Sequence, residues 1–156
     1  MKSTIKSIAT SVSVLIALVF IGTSSFNVKG GDGYTISLNG KVLVSQSVYD
    51  PFDLKTLPLA EANINDNLVI TYMQCNAPGK VGKNRTISVK DESGKLVKEW
   101  RFKDSDGSDK TMIIPVKEIL ALQKNSSGSL SFIYHADGLQ KPQKMALVQG
   151  KKKNNG

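Results

Sequence analysis

Apolar positions along this chain recur mostly at every second residue, the period of a strand with one face on a core and one in water. Residues 86–102 carry the clearest instance. Ile87 and Val89 alternate with Thr86, Ser88 and Lys90, Glu92-Ser93-Gly94-Lys95 supplies turn chemistry, and Leu96, Trp100 and Phe102 return on one side with Glu99 and Arg101 on the other. Trp100 is the only tryptophan, so this hairpin is expected to bring the largest block of apolar area to the core. A second hairpin covers residues 34–44. Asn39-Gly40 is a strong type I′ turn signal, and a two-residue loop pairs Leu38 with Lys41 and Ile36 with Leu43, placing Tyr34, Ile36, Leu38 and Leu43 on one face.

The other elements are shorter. Residues 68–75 are apolar on both alternating faces, as in a mid-sheet strand covered on both sides, with Cys75 a buried, inert thiol. Residues 45–67 are the least regular part: Pro51 and Pro58 exclude central-strand pairing at their positions, leaving room for a short edge strand near 57–63. Met112-Ile113-Ile114 reads as a strand, and Pro115 with Val116, Ile119 and Leu120 predicts a helix over 115–123. Residues 130–135 and 144–148 complete the set. About seven to nine short strands without βαβ spacing predict an all-β fold, an antiparallel β-sandwich of immunoglobulin-like, Greek-key outline.

The two ends read differently from the body. Lys2 and Lys6 precede an apolar run over 8–21 and the small residues Gly22-Thr23-Ser24-Ser25, the order of a secretory signal peptide over 1–25. The run is short and diluted by Thr10, Ser11 and Ser13, so no membrane span is expected after cleavage. Residues 26–33 then form a flexible leader, 34–149 the single domain and 150–156 a disordered basic tail. The implied address is exported: periplasm, cell surface or medium.

Composition narrows the function. The net charge is +8, but Lys2 and Lys6 leave with the signal and Lys151, Lys152 and Lys153 sit in the tail, so the body is only mildly basic. With Arg85 and Arg101 as the only arginines, the dense basic stripe of a nucleic-acid binder is missing. Cys75 is the only cysteine, which excludes an internal disulfide. His135 is the only histidine, which excludes a two-histidine blue-copper set, and no G-x-S-x-G turn accompanies it and Asp137 as a hydrolytic triad would require. The acidic stretch 104–109 fails the EF-hand pattern, since positions one and twelve would be Phe102 and Ile113. Asp91, Glu92, Asp104 and Asp106 belong to turns and not to a paired-carboxylate cleft.

These readings imply no enzyme, no metal and no cofactor. The chain reads as a non-catalytic binding module for a protein or glycan of the cell envelope, acting through a sheet face or end loops. Tyr49, Phe52 and Tyr134, with the basic loop residues Lys80, Lys83 and Arg85, are the candidate ligand contacts. The alternatives are a structural protein pairing through a free sheet edge and a small hydrolase.

Overall fold

Where the alternating runs find neighbours to complete their ladders, they become strands, and the computed structural model, which describes residues 31–104 and 109–150, contains eight. The expected signal peptide, residues 26–30 of the expected leader, the tail from 151 and the acidic stretch 105–108 lie outside the described residues. The strands are β1 (Gly33–Leu38), β2 (Lys41–Ser47), β3 (Asn67–Met73), β4 (Thr86–Lys90), β5 (Leu96–Arg101), β6 (Thr111–Pro115), β7 (Ser129–His135) and β8 (Gln143–Gln149). One α-helix, α1 (Val116–Asn125), lies between β6 and β7. The strands form two four-stranded antiparallel sheets, in the orders β2-β1-β3-β6 and β5-β4-β7-β8. This is the all-β sandwich that the alternation predicts.

Each hairpin departs from simple register in its second strand. Asn39 and Gly40 adopt φ of 50° and 75°, as a type I′ turn requires, and Leu38 pairs with Lys41. The ladder then slips, so Ile36 faces Val44, and Leu43 becomes the extra residue of a bulge. In the β4–β5 hairpin Trp100 pairs with Ile87, but Val97 is the extra residue and Leu96 falls beside Lys90, half exposed. Trp100 is itself only partly buried, against Phe132. The expectation that this hairpin supplies the largest apolar block therefore fails. The third bulge, at Met145, lies in β8. All three bulged strands are sheet edges, where the added twist discourages pairing with other chains.

The core lies between the sheets. Tyr34, Ile36, Leu68, Ile70, Tyr72 and Met112 from the first sheet meet Ile87, Val89, Leu130, Phe132 and Tyr134 from the second. Each such side chain contributes about 1.5–3 kcal/mol on burial. Its largest members are tyrosines: Tyr34 stacks on Tyr72 and Tyr72 on Tyr134, with ring centroids 6.2 and 4.1 Å apart. The Tyr34 hydroxyl donates to the Met145 carbonyl at 2.9 Å, tying β1 to β8. Pro115 stands just outside α1 at its N-terminal boundary, without a side-chain capping bond, and Val116, Ile119 and Leu120 bury the helix face that their spacing predicts. The helix runs two residues past the expected end.

Several local expectations change. β3 buries Leu68, Ile70 and Tyr72, but Val69, Thr71 and Met73 on its other face are only half covered. Cys75 is partly exposed, its thiol donating to the Gly31 carbonyl at 2.9 Å. In place of a strand over 57–63, Thr56 makes an isolated parallel bridge to Leu147, covering the β8 edge, and Glu61–Asn63 forms a 3-10 turn. Gly33 already belongs to β1.

The outward face of the first sheet is set by the same registers. One cross-strand row is Ser45, Thr35, Thr71 and Thr111; a second is Val42, Ser37, Val69 and Ile113; a third is Ser47, Gly33 and Met73.

Candidate functional site

The β1 start, the ends of β2, β3 and β7 and the β8 start gather at one end of the sandwich. Residues 31–32 are pinned there. The Val48 amide donates to the Asp32 carbonyl at 2.9 Å, and the Cys75 amide donates to the Asp32 carboxylate at 2.8 Å. Beside them opens a cleft of about 280 Å³, lined by Asp32, Val48, Tyr49, Tyr72 and Asn76 and by the β7–β8 loop residues Gly138, Leu139, Gln140, Lys141 and Gln143. Its size lies at the lower edge of the usual range for small-molecule sites.

Tyr49 is 73% exposed, and one side of its ring lies against the Gly31 main chain. Its ring occupies the space that a Cβ on Gly31 would need, so glycine at 31 lets the phenol ring rest on the main chain. Tyr72 closes the inner wall, its hydroxyl 3.5 Å from an Asp32 carboxylate oxygen. Burial, reinforced by Asp32, holds the Tyr72 hydroxyl well above the usual phenolic range, so at neutral pH it stays protonated. The cleft thus offers an aromatic face, a carboxylate, an ammonium and several amides.

Of the residues singled out from the sequence, the structure places only Tyr49 in this cleft. Phe52 is exposed on the following loop. Lys80 and Lys83 are exposed in the β3–β4 connection, where the Lys83 carbonyl accepts from the Asp137 amide. Arg85 and Tyr134 are not surface contacts. Arg85 is 4% exposed and donates to the Lys103 and Lys110 carbonyls at 2.7 and 3.1 Å, holding the chain on both sides of 105–108. Tyr134 is fully buried in the tyrosine stack, its hydroxyl pushed up to about 12 by burial against the opposing pull of Arg85. Asp32, Asn76 and Lys141 escaped sequence reading because they sit in a glycine-rich leader and two turns; their only signal was turn composition.

Behind the cleft, the side chain of Gln74 donates to the Asp137 carbonyl at 2.9 Å. A Cβ on Gly82 would stand 2.5 Å from Gln74 Oε1 and 3.2 Å from the Tyr134 hydroxyl. Among the described residues, Gln74 Oε1, Arg85 Nε and the Tyr134 hydroxyl are buried without a hydrogen-bond partner. His135 is exposed at the end of β7, paired in the ladder with Thr86. No group of three His, Cys, Asp or Glu side chains converges among the described residues.

No protein-family model, curated protein or solved structure matches the chain significantly.

Proposed function

We propose that this protein is an exported, non-catalytic binding module that takes a glycan of the cell envelope into the cleft at the end of the sandwich. The observation that carries this reading is the Tyr49 ring, held open to solvent on the Gly31 backbone at the lip of a polar cleft. An exposed aromatic face suits the apolar side of a sugar ring. Asp32, Asn76, Gln140 and Lys141 supply acceptors and donors for its hydroxyls. The segment 1–25, with its basic, apolar and small-residue order, supports export.

The alternative, pairing through a free sheet edge, is left with β6, five residues long and ending in Pro115. β2, β5 and β8 carry bulges, β8 is covered by Thr56, and β5 carries Lys98 and Arg101 with Lys95 before it.

Titration calorimetry with envelope-derived oligosaccharides tests the proposal. Binding should be lost in Tyr49→Ala, weakened in Gly31→Ala, whose methyl displaces the ring, and kept in Phe52→Ala. Absence of saccharide binding, or equal binding by Tyr49→Ala, would overturn it. Retention of the full chain in the cytoplasm would overturn the export reading.

A further inference from the structure

We propose that the sugar unit taken by the end cleft is an acidic one, whose single negative charge pairs with the Lys141 ammonium. This rests on the reading of the cleft as a glycan site and adds to it the class of sugar. Among the described residues, Asp32 and Lys141 are the only charged side chains that line the cleft. The sign of the ligand therefore depends on which of the two is left to meet it.

Asp32 is turned into the wall. One of its carboxylate oxygens accepts from the Cys75 amide at 2.8 Å, and the other lies 3.5 Å from the Tyr72 hydroxyl, which keeps its proton at neutral pH. Its charge is thus partly compensated from inside the fold.

Lys141 is placed differently. It is exposed in the β7–β8 loop and forms no ion pair among the described residues. The acid of its own loop, Asp137, is engaged elsewhere, its carboxylate accepting from the Asn84 side chain at 2.7 Å. The base of the loop is fastened on both sides of that residue's peptide unit: the Asp137 amide donates to the Lys83 carbonyl at 2.9 Å, and the Asp137 carbonyl accepts from the Gln74 side chain at 2.9 Å. Pro142 then disfavours helical backbone at Lys141. An ammonium on a fastened loop, beside the neutral amides of Asn76 and Gln140, suits one anionic group flanked by hydroxyls, either the carboxylate of a uronic acid or a sugar phosphodiester. A basic amino sugar would meet Lys141 with like charge and find Asp32 already bonded.

Envelope-derived oligosaccharides, separated by anion exchange into neutral and acidic fractions and titrated into the purified protein, test this. The acidic fraction should bind about tenfold more tightly, as one charge-assisted hydrogen bond provides, and the advantage should shrink as salt is raised. Lys141→Gln should bring the acidic fraction down to the neutral level and Lys141→Arg should keep the preference. Lys95→Gln, the same loss of charge in the β4–β5 turn, should behave like the parent. Carbodiimide-borohydride reduction of the carboxyl groups should abolish the preference for a uronate and spare it for a phosphodiester, and either result upholds the acidic assignment. Equal binding of the two fractions, or an undiminished preference in Lys141→Gln, would overturn that assignment and leave Tyr49-dependent glycan binding in place. Failure of both fractions to bind would overturn the glycan reading itself, and this inference with it.

Discussion

The Trp100 indole N–H donates to the Glu118 carboxylate at 2.8 Å, joining the β5 edge of one sheet to the helix that follows the β6 edge of the other. Lys98 adds to the cluster, 3.8 Å from the same oxygen and 5.7 Å from the indole centroid. Both charged groups are well exposed, so their ion pair contributes little, whereas the indole bond and the acid in the first helical turn contribute more. Glu118→Ala is expected to lower stability by about 1–2 kcal/mol. Urea unfolding followed through Trp100 fluorescence measures it, and a red-shifted native emission should accompany the loss.

Two tyrosine-to-phenylalanine changes should differ in sign. Tyr34 donates to the Met145 carbonyl, so Tyr34→Phe removes a bond and strands a carbonyl, costing about 1 kcal/mol. The Tyr134 hydroxyl is buried without a partner among the described residues, so Tyr134→Phe should be neutral or stabilising. Matched denaturation curves decide between these outcomes.

Alkaline pH should unfold the protein through its core. Burial pushes the Tyr34 and Tyr134 hydroxyls up to about 12 in the folded state, against about 10 in an unfolded chain. The folded state then binds more protons between these values, and its stability falls as pH rises. The contribution is complete below about pH 10 and is lost as pH climbs through about 12. Phenolate absorbance from these two residues should appear together with the loss of far-ultraviolet dichroism, and not before it.

Gly82→Ala is expected to be among the most damaging single-methyl changes. The new Cβ would stand 2.5 Å from both the Ala136 Cβ and Gln74 Oε1, an overpacking worth about 1–3 kcal/mol. Thermal melting of this variant beside Gly40→Ala, whose site has open space but φ of 75°, separates steric crowding from backbone strain.

The sandwich was legible because alternation and turn chemistry are local. Asn39-Gly40 announced its turn, and Val116, Ile119 and Leu120 announced the buried helix face. The bulges at Leu43, Val97 and Met145 were not legible, since an extra residue leaves the alternation looking intact until the partner strand fixes the register. That is why alternation alone places Leu43 and Leu96 on the core face and leaves Val44 off it. Arg85 read as a loop cation because its carbonyl partners, Lys103 and Lys110, lie beyond the next hairpin. The cleft was least legible: its walls come from residues 32, 48–49, 72–76 and 138–143, segments that meet only after both sheets have formed.

The order of the strands bears on how the molecule comes apart. The chain passes from one layer to the other after β3, after β5 and again after α1, so neither sheet is built from one continuous stretch of the sequence. A cut in any of these crossings divides at least one hydrogen-bonded strand pair, β3 with β6 or β4 with β7, between the two fragments. Proteolytic nicking should therefore give either an associated, native-like pair or rapid digestion, with no free half surviving, and melting should proceed in a single cooperative step.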